Sequence, residues 1–173
     1  MRKLKLQMTV SLDGKWDQGM WDFCVENLSN ADCILHGRKT AEEFIPYWTK
    51  VANNPHDNDY IIGKLLTEIP NVVLTNTIEA SKWDNATLIH GDISEAVTAL
   101  KNKSGKDIIA YGGHSFVSSL AQYDLIDEYY LLVNPAALGD GKQAFNPLHH
   151  SPELQLVECR PFTCGAVLLH YTK

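Results

Sequence analysis

Short apolar runs alternate with segments of helical spacing from residue 3 to residue 133, and the chain then closes on two strand-like segments with no helix between them. That order restricts it to an α/β layer fold whose last strands form an antiparallel edge. Leu4, Leu6, Met8 and Val10 alternate with Lys3, Lys5, Gln7 and Thr9, the two-residue period of a half-buried strand. Trp21, Cys24, Val25 and Leu28 recur at helical spacing, and Ala31 to His36 reads as a more buried strand stopped by Gly37. Thr40 followed by Glu43 has capping-box spacing, which predicts a helix from Thr40 to about Phe44, before Pro46. Pro46 to Asp59 reads as a surface loop, followed by a helix face at Ile61, Ile62, Leu65 and Leu66. Further strands are predicted at Val72–Thr75, Thr87–His90, Ile108–Tyr111, Glu128–Val133, Leu154–Arg160 and Ala166–Tyr171. Helices are predicted behind an Asp92 cap and around Phe116, Val117 and Leu120.

With 173 residues the chain fits one domain, 1–173, and is short for two. Fifteen Lys and Arg against twenty-one Asp and Glu give a formal net charge of −6, which argues against nucleic acid or an anionic membrane as partner. Any anionic ligand must therefore find a local basic cluster. The basic start, Arg2, Lys3 and Lys5, lacks the unbroken apolar core of a signal peptide. Cys24, Cys33, Cys159 and Cys164 show no CxxC spacing and each sits among apolar residues, so they read as buried free thiols in a reducing cytoplasm.

In an open α/β sheet ligands gather at the carboxyl ends of parallel strands, where helix N-termini present unpaired N–H groups. Three junctions carry suitable chemistry. Gly37-Arg38-Lys39-Thr40 offers a glycine, two cations and a hydroxyl, the groups a phosphate requires, and equally fits a capped helix with solvated cations. Thr75-Asn76-Thr77 is a polar trio that suits a ribose or phosphate, or simply a strand end. Tyr111-Gly112-Gly113-His114-Ser115 lets a pyrophosphate or a flat ring lie against the backbone, or forms a tight strand-to-helix turn. It lacks the GxGxxG fingerprint, which disfavours an ordinary Rossmann site. His149-His150 has no carboxylate or thiol spaced to complete a metal site, and His36 reads as a strand-end residue.

These junctions stand in one order with Thr9-Val10-Ser11-Leu12-Asp13-Gly14, Gly37 to Phe44, Val73 to Thr77, Leu125-Ile126-Asp127-Glu128 and Asn134 to Lys142. The series resembles the dihydrofolate-reductase-like superfamily. It is most similar to the riboflavin biosynthesis reductase domain, the C-terminal domain of the bacterial bifunctional deaminase-reductase, and its single-domain relatives. The resemblance implies a three-layer fold with a central mixed sheet of about eight strands, antiparallel C-terminal strands and helices on both faces. It also implies NADPH as cofactor and a small heterocyclic, imine or carbonyl substrate, pterin- or pyrimidine-like. By matching positions Gly37, Arg38, Lys39 and Thr40 approach the cofactor phosphates. Thr75 and Asn76 match the adenosine end with its 2′-phosphate. Gly112, Gly113, His114 and Ser115 match the nicotinamide-proximal pyrophosphate.

Asp13 falls beside the nicotinamide and substrate by the same matching, with a plain turn as its other use. Folate reductases carry a buried carboxylate early in the first helix, and ungapped spacing puts Trp21 there, with Asp22 one residue out of register. Asp22 and Glu26, four residues apart, also suit a solvated helix face. Trp16, Trp21, Tyr47 and Trp48 are candidate flat walls for a planar substrate, or core aromatics. The expectation is an NADPH-dependent oxidoreductase like 5-amino-6-(5-phosphoribosylamino)uracil reductase or dihydrofolate reductase. The alternatives are a non-catalytic nucleotide-binding protein and a dimerising structural module of the same fold. The resemblance admits a homodimer, although no heptad in the sequence signals one.

Overall fold

The computed structural model describes residues 1–10, 18–137, 143–145, 148–149 and 151–173. Asp13-Gly14, Trp16, Leu138 to Lys142 and His150 lie outside the described residues. The strands are β1 (Leu4–Val10), β2 (Ala31–Gly37), β3 (Asn71–Leu74), β4 (Ala86–Ile89), β5 (Asp107–Tyr111), β6 (Glu128–Val133), β7 (Gln155–Pro161) and β8 (Val167–Thr172). The helices are α1 (Gln18–Ser29), α2 (Arg38–Ala52), α3 (Tyr60–Glu68), α4 (Ile93–Lys101) and α5 (His114–Gln122). The strands form one mixed sheet in the order β4-β3-β2-β5-β1-β6-β8-β7. The first six run parallel, and β8 is antiparallel to both β6 and β7. This is the three-layer dihydrofolate-reductase-like architecture that the resemblance implied.

Two cores flank the sheet. Met20, Phe23, Cys24 and Leu28 of α1, with Ile62 and Leu66 of α3, pack on Ile34, Ile109, Leu132 and Leu168. Val97, Leu100, Val117, Leu120 and Ala121 of α4 and α5 pack on Leu4, Leu6, Leu35, Ile108 and Ala110 on the other face. Right-handed crossovers account for the partition, since each parallel connection returns over the face its direction dictates. Among the described residues no helix is long and apolar enough to cross a membrane.

Three expectations are corrected. The first strand is not half-buried, because β1 lies between β5 and β6 with helices over both faces. Its polar side is buried too: Lys5 pairs with Asp107 at 2.9 Å, and Gln7 accepts from Asn27 at 2.7 Å. The helix predicted from Thr40 begins at Arg38 and continues through Pro46 to Ala52. Proline deletes the donor that would reach the Glu42 carbonyl and crowds that carbonyl, and packing of Phe44 and Trp48 on the core, with Val51 buried beside Gly63 of α3, outweighs the loss. Finally, Cys24 and Cys33 are buried as expected, whereas Cys159 is exposed because β7 is the sheet's edge strand.

Candidate active site

The chain leaves β2 towards β3 on one side, and leaves the neighbouring parallel strand β5 across β1 to β6 on the other. Such a switch point opens a crevice beyond the carboxyl ends of the two strands. Pairing of His36 with Tyr111 and of Gly37 with Leu74 sets the Gly37, Gly112 and Thr75 junctions side by side on one rim. The Gly113 N–H donates to Thr40 Oγ1 at 3.1 Å, tying the start of α5 to the first turn of α2.

Both helices begin at a glycine without a side-chain cap, Gly37 for α2 and Gly113 for α5. By contrast Asp92 caps α4, accepting from Ser94 and Glu95 N–H at 2.8 and 3.1 Å. The two helix ends on the crevice therefore keep first-turn donors and partial positive charge for an incoming anion. The glycines are not interchangeable. A β-carbon on Gly112 would stand 2.3 Å from Phe116 Cδ1, and one on Gly37 2.9 Å from Phe116 Cγ, so Phe116 lies across both strand ends. A β-carbon on Gly113 meets nothing within 4 Å, which leaves its backbone open to a ligand.

The polar residues divide by what they already hold. Arg38 Nη1 reaches Glu42 Oε2 at 2.8 Å, with both side chains about one-third exposed, while Lys39 is exposed. Thr75 is buried, and its Oγ1 accepts from Thr77 N–H at 3.2 Å. Asn76 is spent on Gly91: its Oδ1 accepts from Gly91 N–H at 2.8 Å and its Nδ2 donates to the Gly91 carbonyl at 3.3 Å. His114 Nε2 lies 3.3 Å from Ser115 Oγ at the open start of α5. Asn76 thus fastens the β3 and β4 turns together, and the cations and the α5 start remain the anion-facing groups.

On the α1 and α2 face of the crevice stands an aromatic wall. Phe44 lies 5.1 Å from Tyr111 in a stacked arrangement, 4.9 Å from His36 and 5.9 Å from Trp48, by ring centroids. His36 is fully buried, with Nε2 at 2.7 Å from Asn71 Oδ1, and burial pushes its imidazole down to about 4. It is therefore neutral at neutral pH. Burial drives the Tyr111 phenol well up and the Cys24 thiol up to about 12, so neither is a ready acid or nucleophile.

Asp22 stands on the exposed side of α1 just past its first turn, where Met20 takes the buried position. The buried carboxylate of the described sheet is Glu128, at the amino end of β6, bonded to Lys3 Nζ at 2.6 Å and to Tyr130 OH at 2.7 Å. That is the end opposite the crevice. The Glu42 partner of Arg38 was missed, although its i, i+4 spacing from a basic residue is the available signal. The seating of Phe116 over two glycines had none, because it joins residues far apart in sequence.

Residues 2–168 match the model of the RibD C-terminal domain family. The uncharacterised protein YyaP of Bacillus subtilis is 32% identical, over 98% of this chain and 94% of its own. A diaminohydroxyphosphoribosylaminopyrimidine deaminase/5-amino-6-(5-phosphoribosylamino)uracil reductase from Thermotoga maritima superposes with a TM-score of 0.68 at 16% identity, over 99% of this chain and 56% of that one. Dihydrofolate reductase from Enterococcus faecalis, complexed with NADP(H), superposes with a TM-score of 0.63 at 14% identity, over 98% of this chain and 95% of that one.

Proposed function

The chain belongs to the RibD C-terminal domain family, and from that premise we propose that it is a reductase that binds NADPH across the crevice between α2 and α5 and reduces a small planar heterocycle or imine. The observation that carries this reading is the pair of uncapped helix starts facing one crevice, with Arg38 and Lys39 on one and the open Gly113 backbone on the other. A dinucleotide carries a pyrophosphate and, in NADPH, a 2′-phosphate, and the crevice offers donors for both. The reductase named in the Thermotoga structure and the NADP(H) in the Enterococcus structure lend the reading its chemistry.

The N–H groups of His114 and Ser115, with the unobstructed face of Gly113, suit the pyrophosphate, while Arg38 and Lys39 suit the 2′-phosphate. Glu42 holds Arg38 in place and must share it with an incoming phosphate. When bound, the reduced nicotinamide supplies the hydride. Tyr111 and Phe44 present flat apolar surface that positions a planar substrate and excludes water. Neutral His36 keeps that wall free of charge. Among the described residues no buried carboxylate faces the crevice, and the proton that completes reduction comes from Asp13, which lies outside the described residues, or from water.

Titration by nucleotide fluorescence and oxidation of NADPH across a panel of pterins, pyrimidines and cyclic imines test the reading. NADPH should bind saturably and be oxidised with at least one substrate. Changing Arg38 and Lys39 together to Ala should weaken NADPH by about tenfold or more and NADH far less, the loss of two charge-assisted contacts. Equal losses would remove both residues from 2′-phosphate recognition. Saturable binding without oxidation of any substrate would favour the non-catalytic reading.

A further inference from the structure

A cleft of about 530 Å³ runs between the outer flank of α2 and the segment that crosses from β3 to β4. It opens on the other flank of α2 and meets the aromatic wall of the crevice at Phe44 and Trp48. Asn71, the first residue of β3, and Asn85, just before β4, line it, which puts its floor at the amino ends of these strands. One strand length of four residues, about 13 Å, separates that floor from the rim. Its size is that of a small-molecule site.

The lining has a definite chemistry. Trp48 comes from α2 and Trp83 from the crossover, both half-buried, with Phe44 deeper in. Lys50 and Lys82 stand at the same cleft. Lys82 Nζ lies 5.2 Å from the centroid of the Trp83 ring, and its carboxylate partner, Glu42, is distant at 3.9 Å. Lys50 has no ion-pair partner among the described residues and stands exposed. Two loosely held cations beside two indoles outnumber the one carboxylate of the lining, Asp84, on a chain of net charge −6.

The floor is also built in advance. Asn71 Nδ2 donates to the Ile69 carbonyl at 3.0 Å, and Asn85 Nδ2 donates to the Thr67 carbonyl at 2.7 Å. These amides are spent on holding the end of α3 against the strands. Of the remaining lining side chains, the aromatic faces supply the flat surface and the ammonium groups the positive charge.

We propose that this cleft is a second ligand site, separate from the crevice, that takes a planar aromatic anion: its ring against Trp48 and Trp83, its anionic group on Lys50 and Lys82. Indole faces accept any flat ring, whereas the paired ammonium groups select the sign of its charge. The assignment does not depend on the reductase reading.

The probe is naphthalene-2-sulfonate, titrated into the full chain and followed by the tryptophan indole N–H signals in NMR spectra. One equivalent should bind, shifting two tryptophan signals, those removed by W48L and W83L, and saturating NADPH should not displace it. The uncharged naphthalene-2-carboxamide and the non-planar cyclohexanesulfonate should each bind about tenfold more weakly, as should the sulfonate to the K50Q/K82Q variant. Both lysines are surface residues whose removal leaves the core untouched, and the W83L variant, expected to weaken binding similarly, provides an independent check. Absence of saturable binding, equal affinity in K50Q/K82Q, or competitive displacement by NADPH would each overturn the proposal. If NADPH fails to bind while the sulfonate behaves as described, the reductase reading falls and the second site stands.

Discussion

Two adjacent glycines at the end of β5 do different work, which a residue-by-residue test can separate. Replacing Gly112 by Ala places a methyl group 2.3 Å from the Phe116 ring, so the ring must move and stability should drop by about 1–3 kcal/mol. Replacing Gly113 by Ala meets open space at an ordinary φ of −74°, so denaturant unfolding should be almost unchanged while NADPH binding weakens. The reverse pattern would misassign both. His36 supplies a second test. Its folded value of about 4 lies below the ordinary 6.5, so between those values the unfolded chain binds the proton and the native one does not. Stability from this group is thus complete above about pH 6.5 and declines as pH falls towards 4, by up to roughly 3 kcal/mol. Urea titrations over that range should show the slope in the natural chain and a flatter one in H36Q; an identical slope would remove His36 as its source. The glycine pair was legible in the sequence as a place of close approach. That one glycine serves Phe116 and the other the ligand was not, because the distinction exists only once α5 is folded back on β2.

Elements were legible where a single period ran uninterrupted. Glu128–Val133 is the same in expectation and structure, and the Asp92 cap forms as its spacing required. The start of α2 misled because Thr40 and Glu43 satisfy the capping-box rule locally while tertiary contacts claim the hydroxyl: Thr40 Oγ1 accepts from Gly113 N–H. Thr40 is accordingly a link between helices. Changing it to Val should cost about 1 kcal/mol in unfolding free energy and weaken NADPH, and Ser at the same place should restore both. Should T40V lose stability and bind NADPH unchanged, the link would be structural alone. Trp48 and Tyr47, considered as substrate walls, meet edge to face at 5.1 Å and extend the Phe44 cluster outward along α2.

At the scale of the molecule, alternation of strands and helices predicts a layered fold but not the order in which strands lie. The position of β5 between β2 and β1 makes the crevice, and it arises from crossovers whose direction no local pattern encodes. The family resemblance implied that the three junctions serve one cofactor, and their placement on one rim agrees with it. The carboxylate at the start of α1 is the part the resemblance did not carry over, since Asp22 is exposed there. The ion pairs of Lys3 with Glu128 and of Lys101 with Asp127 gather at the opposite end, where they fasten the amino ends of the strands to α4 and to the β6 entry. The molecule is thus closed by charge at one end and left with open helix starts at the other. A crystal structure of the chain grown with NADPH tests this directly. The account predicts pyrophosphate oxygens on the His114 and Ser115 N–H groups, against the open face of Gly113, and the 2′-phosphate within reach of Arg38 and Lys39. A dinucleotide bound anywhere but between α2 and α5 would contradict it.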